Sequence, residues 1–126
     1  MTLADSEVAA TVAVKDMAVA KEFYGTVLGL KLQKESPAGA TYGSGASTLF
    51  VYPSQFAGTN KATYAGWHVD DVAAEVEGLK SKGVNFQQFD LPGATWEGDV
   101  AVMGALRGAW FTDPDGNILA LDNGQE

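Results

Sequence analysis

The chain states one pattern twice, and that repetition limits what it can fold into more than any other feature. Residues 8–14 (VAATVAV) form a short apolar run rich in β-branched residues, the mark of a strand. Asp16 follows where a helix N-cap belongs, ahead of MAVAKEFYGTVLG. In that stretch Met17, Ala20, Tyr24, Val27 and Leu28 share one helical face, and Gly29 supplies the stop. Strands are then expected at Leu30–Ser36, Ala40–Tyr42 and Thr48–Tyr52, with Pro37-Ala38-Gly39 as a turn and Gly43-Ser44-Gly45 as a hairpin. The second half restates this order. Tyr64–Val69 reads as a strand, Asp71 as an N-cap, and VAAEVEGLKSK as a helix that turns Val72, Val76 and Leu79 inward and stops at Gly83. A strand at Val84–Phe89 leads to a loop holding Pro92, Gly93 and Gly98. Strands at Gly108–Thr112 and Ile118–Asp122 then flank the turn Asp113-Pro114-Asp115-Gly116-Asn117. Setting Asp16 on Asp71 puts Val14 on Val69 and brings Gly29 within one residue of Gly83.

This order predicts an α+β fold, a single domain over residues 1–126 built from two tandem βαβββ modules. The modules cover about residues 7–53 and 62–124, and Pro53–Ala62 links them. Each module makes a small sheet with one face under its helix and the other open. Two open faces brought together form a cup-shaped mixed β-sheet lined by alternate strand residues, a shape suited to a small molecule. A chain of 126 residues buries enough surface for such a core without covalent staples.

Composition removes several functions. With no cysteine, the chain has no disulfide, thiolate metal site or cysteine nucleophile. One histidine, His68, excludes any site within the chain that needs two imidazoles. Eight basic residues against sixteen acidic ones give a net charge of −8, which opposes binding to nucleic acid, and no basic stripe offsets it. No apolar run is long enough to span a membrane. The opening residues lack a secretory pattern, so a cytoplasmic location is expected.

Three segments carry a family resemblance. They are VAVKDMAVAKEFYGTVLGLKL at 12–32, WHVDDVAAEVEGLKSKGV at 67–84 and AWFTDPDGNILALDN at 109–123. Together they resemble the vicinal oxygen chelate superfamily, which includes glyoxalase, bleomycin-resistance and extradiol dioxygenase proteins. The resemblance implies that ligands from four strands hold a divalent metal, which polarises two neighbouring substrate oxygens. It places those ligands at Ala9, Tyr64 and Ala120, with a fourth inside Leu49–Tyr52, where no carboxylate or imidazole occurs. Alanine cannot ligate through its side chain, and a neutral phenol is a poor ligand for hard divalent cations. The expectation is therefore no metal, no cofactor and no assigned catalytic residue.

The candidate ligand-binding residues are Thr11, Tyr64, His68, Trp96 and Trp110. Tyr64 and His68 share strand parity and should face the cup, where an imidazole can act as a hydrogen-bond group or general base. The alternative for His68 is a structural histidine or an exposed strand end. Thr11, between Ala9 and Ala13 on one strand face, leaves room in the cup. Trp96 and Trp110 offer stacking surfaces for a planar ligand, or else ordinary packing. Trp67 has helix-side parity and is assigned to the core. Arg107 is the only arginine; it is read as a surface residue or a clamp for an anion. The function these residues suggest is metal-independent binding of a small molecule, an antibiotic or a metabolite. The resemblance implies a homodimer with sites between paired modules. A lyase- or dioxygenase-like enzyme with a non-standard site and a docking or regulatory module are the alternatives.

Overall fold

Both helices start and stop where the paired aspartates and glycines put them. The computed structural model describes residues 2–125. After a single 3₁₀ turn at Leu3–Asp5, β1 (Ala10–Val14) leads into α1 (Met17–Lys21). Asp16 Oδ1 accepts from the Ala18 and Val19 amides at 2.9 and 3.3 Å, satisfying two of the amides that open α1. Asp71 Oδ1 accepts from the Ala74 amide at 3.1 Å, at the head of α2 (Val72–Lys80). Gly29 and Gly83 close the helical segments with φ of 75° and 88°, a region that side-chain-bearing residues avoid.

The first helix departs from the expected periodicity. Beyond Lys21 it widens into i→i+5 turns over Glu22–Val27, with the Leu28 amide donating to the Phe23 carbonyl at 2.9 Å. A wider turn moves the inward face by a residue, so Phe23 and Tyr24 are both buried. Their rings meet edge to face at 5.1 Å, and Tyr24 packs against Tyr42 at 6.4 Å. A strict α-helical reading places Tyr24 inward and overlooks Phe23.

The chain divides into two compact units with the boundary between Ala57 and Gly58, inside the expected linker. In the first, β2 (Lys31–Ser36), β3 (Gly39–Ser44) and β4 (Ser47–Pro53) join β1 in a four-stranded sheet of order β1-β4-β3-β2. The turn between β3 and β4 is Gly45-Ala46, two residues later than the start of the expected Gly43-Ser44-Gly45 hairpin. β1 and β4 are parallel, and the other neighbours are antiparallel. Val12, Val51, Ala40, Leu49 and Tyr42 share the buried face.

The second unit repeats this plan with an addition. β5 (Thr63–His68) pairs in parallel with β10 (Ile118–Asp122), which pairs antiparallel with β9 (Leu106–Thr112). The strand expected at Val84–Phe89 is reduced to β6 (Phe86–Gln87), set against the far end of β9. The segment read as a loop holds a further hairpin, β7 (Thr95–Glu97) and β8 (Val100–Met103), and β8 takes the remaining edge of β9. Two-residue turns at Gly98-Asp99 and Gly104-Ala105 close these hairpins, with glycine φ values of 62° and 58°. Trp67 stacks on buried Phe111 at 6.2 Å, as its parity requires, and Phe86 packs on Phe111 at 5.5 Å.

The Asp-Pro-Asp-Gly-Asn turn buries its two ends, Asp113 and Asn117, while Pro114 and Gly116 stay exposed. Asp113 Oδ1 accepts from the Asp115 and Asn117 amides at 3.0 and 2.8 Å, and its Oδ2 from Asn117 Nδ2 at 2.8 Å. Asn117, fully buried, accepts through its own Oδ1 from the Gly58 amide at 3.0 Å. The turn thereby holds the first residue of its unit. Asn117→Ala removes two of these bonds, one of them to a buried carboxylate. It is expected to cost about 2–4 kcal/mol, read as a lower urea midpoint with unchanged slope.

Tyr42 supplies a second test. Burial pushes its phenol above the ordinary value of 10.0, while the nearby Lys21 acts in the opposite sense more weakly. A folded-state pKa above the unfolded one means the folded chain holds the proton longer. The resulting stability is complete below the unfolded value and is lost as pH rises through the folded one. Tyrosinate absorbance should show one of the four tyrosines ionising late, and Tyr42→Phe should flatten the loss of stability above pH 10.0.

Candidate functional site

The register of the second sheet decides which side chains share its uncovered face. Gly66, Ala120 and Trp110 lie abreast on β5, β10 and β9, and His68, Asp122 and Gly108 form the next row. Residues one step away, Ala109, Phe111, Leu119 and Leu121, form the buried face. Because Gly108 and Ala120 carry little or no side chain, the uncovered face is hollow beside them. The result is a concavity of about 210 Å³ walled by Ala101, Met103, Leu106, Trp110 and Asp122.

Trp110 is held in place from behind. Phe89 meets it edge to face at 5.7 Å, and Trp96 packs against it at 6.1 Å. The structure thus joins the two tryptophans singled out in the sequence, but in different capacities. Trp110 walls the concavity; Trp96, carried by the β7–β8 hairpin, braces Trp110. His68 is an exposed strand end with a partner: its Nδ1 lies 2.5 Å from Asp122 Oδ1, and the imidazole is 81% exposed. Asp122 Oδ1 also accepts from the Gly124 amide at 2.8 Å.

Tyr64 and Thr11 stand elsewhere. The β5–β10 pairing slips between Thr63 and Ala65, where two steps on β5 face one on β10, so Tyr64 occupies a bulge. Strict alternation from His68 and Gly66 does not extend through it, and half-buried Tyr64 is not among the residues lining the concavity. Thr11 belongs to the first unit, in a row with Phe50 and Thr41 on the uncovered face of that sheet. Beside this row Phe50 and Tyr52 stack at 6.0 Å with planes 9° apart. Arg107 is half-buried, and its Nη1 donates to the carbonyls of Gly104 and Leu106 at 2.7 and 3.2 Å. Its guanidinium serves the β8–β9 turn.

Sequence reasoning missed Met103, Leu106 and Asp122. The first two belong to the hairpin hidden in TWEGDVAVMGALRGAWFT, where Gly-Asp and Gly-Ala each separate runs of strand-forming residues. Asp122 was accessible by counting two residues on from Ala120.

A family sequence profile, that of the Glyoxalase/Bleomycin resistance protein/Dioxygenase superfamily, matches residues 8–121. The chain belongs to this superfamily. Solved structures that share its fold include a bleomycin resistance determinant encoded on the transposon Tn5, at TM-score 0.72 and 18% identity, covering 96% of this chain and 99% of that one. A lactoylglutathione lyase from Agrobacterium tumefaciens aligns at TM-score 0.69 and 16% identity, over 94% of both chains. A glyoxalase/bleomycin resistance protein from Streptomyces sp. CB03234 aligns at TM-score 0.63 and 23% identity, covering 93% of this chain and 99% of that one. No curated protein matches the sequence significantly.

The metal associated with enzymes of the superfamily does not fit the residues present. Ala120 turns a methyl group toward Gly66 and Trp110, and Ala9 lies ahead of β1 with no donor to offer. On β4 the uncovered face carries Phe50 and Tyr52. Among the described residues no three His, Asp or Glu side chains converge on one point. Equilibrium dialysis against Zn²⁺, Ni²⁺ or Mn²⁺ is expected to leave no stoichiometric metal and an unchanged urea midpoint. A metal at a hundredfold its Kd adds about 2.7 kcal/mol, so one bound ion per chain would be plain in either measurement.

Proposed function

We propose that this chain binds a small molecule without a metal and seats it on the uncovered face of the second sheet. The observation that supports this most directly is the concavity itself. It is hollow at Ala120, a position that the family resemblance assigns to a metal ligand, and a braced indole forms its wall. A preformed, mostly apolar recess with one polar end is the ordinary form of a small-molecule site. Its fold relatives include a bleomycin resistance determinant, which favours an antibiotic or a metabolite as the class of ligand. A second copy of the chain completes the reading, and sedimentation should give about twice 13.2 kDa.

A neutral probe of matching size tests the seat. Calorimetry with 1-naphthylmethanol should show saturable binding, and Ala120→Phe, which fills the hollow from an uncovered position, should weaken it about tenfold or more. The substitution should change stability by under about 0.5 kcal/mol. Equal binding by the variant, or none by the wild type, removes the seat from this face.

One observation favours a second reading, that of a lyase-like enzyme. Asp122 orients the His68 imidazole through Nδ1 and leaves Nε2 toward solvent, the arrangement of a positioned general base. That reading requires turnover, of lactoylglutathione for example, that His68→Ala abolishes. No turnover by either protein would rule out that substrate.

A further inference from the structure

Of the described residues that line the concavity, Asp122 alone is ionisable; the rest are apolar or glycine. Its Oδ1 is taken by His68 Nδ1 at 2.5 Å and by the Gly124 amide at 2.8 Å. Both contacts fall on Oδ1 and hold the carboxylate in the wall of the recess that it lines. Arg107, the chain's one arginine, is turned to the carbonyls of Gly104 and Leu106, and the ion pairs of Lys21 and Lys80 lie on Glu35 and Asp99. His68 Nδ1 faces the carboxylate, and the ring is otherwise exposed. Among the described residues that line the recess, the polar end is therefore a carboxylate with no lysine or arginine beside it.

From this geometry we infer that the recess selects a flat apolar ligand bearing one positive charge, such as an ammonium or amidinium group, and that Asp122 reads that charge. The inference rests on the recess being the ligand seat. Trp110, clamped by Phe89 and Trp96, gives the flat body an aromatic face, which also attracts a nearby cation. Ala101 and Ala120 leave height for a ring, and Met103 supplies a polarisable side wall. A volume of about 210 Å³ lies below the range of roughly 300–1,000 Å³ for drug-sized ligands, so a fused ring with a short arm fits better than a large molecule. An anion would meet the Asp122 carboxylate, no lysine or arginine among the described lining residues, and a chain of net charge −8. Two donors, one carboxylate and one imidazole, fall short of holding a metal ion.

Three naphthalene probes, the first two isosteric, separate charge from shape: 1-naphthylmethylammonium, 1-naphthylmethanol and the larger anion 1-naphthaleneacetate, titrated calorimetrically at pH 8 and low salt. The wild type should bind the ammonium about tenfold more tightly than the alcohol, with the acetate weakest, and added salt should weaken the ammonium alone. Asp122→Asn keeps an oxygen for His68 and Gly124 but removes the charge. It should bring the ammonium down to the affinity of the alcohol while the alcohol stays unchanged. Glu75→Gln on the exposed side of α2 alters net charge equally and should keep the preference, which excludes a general effect of the acidic chain. Equal affinity of the wild type for ammonium and alcohol, or a preference that survives in Asp122→Asn, overturns the charge inference and leaves the seat standing. Absence of binding by all three probes overturns both.

Discussion

β5 and β10 come from opposite ends of their unit and run side by side in the same direction, and this parallel pairing governs the rest of that unit. Parallel neighbours cannot be joined by a tight turn, so the chain must leave the sheet and return. It leaves through α2, which covers one face, and returns through β9, which supplies β10 with its antiparallel partner. One face is thereby buried and the other left uncovered. The same pairing aligns His68 with Asp122 and Gly66 with Ala120, so the polar end and the hollow of the recess arise from a single register. The first unit obeys the same constraint through β1 and β4.

The two units depart from each other at one connection. In the first, Pro37 and Ala38 alone join β2 to β3; in the second, the corresponding path runs from Gln88 to Ala105 and folds into its own hairpin. That insertion displaces most of the strand expected at Val84–Phe89, because β8 occupies the edge of β9 that β6 would otherwise extend along. It also brings Trp96 against Trp110 and places Met103 at the recess. The added segment is what makes the second sheet's uncovered face a walled site.

What was legible in the sequence was what local chemistry enforces. Asp16 and Asp71 cap, Gly29 and Gly83 stop, and Trp67 faces the core, because each needs only its immediate neighbours or strand parity. Phe23 was hidden because widened turns shift the helical phase, which a fixed period does not register. Tyr64 shows the corresponding limit for strands, where a bulge interrupts the alternation that places Gly66 and His68. The role of Asp113 and Asn117 was invisible for a different reason. Turn-forming residues look alike whether they are solvated or buried, and the amide of Gly58 lies far away in sequence. The site was half legible: His68 and Trp110 follow from parity, whereas Asp122 acquires meaning only once it stands beside His68.

The floor formed by Gly108 and Ala120 separates two properties that many proteins keep entangled. Side chains that hold the second unit together, Phe111 and Leu119 among them, project from one side of the pleat, and those that line the recess project from the other. Substitutions on the recess side can therefore accumulate while the core stays as it was. A floor of bare backbone and one methyl group is a starting point from which larger, more polar or differently charged residues can be introduced one at a time. In that sense the surface is a template on which selection can rewrite the shape and charge of the recess at little cost to the fold.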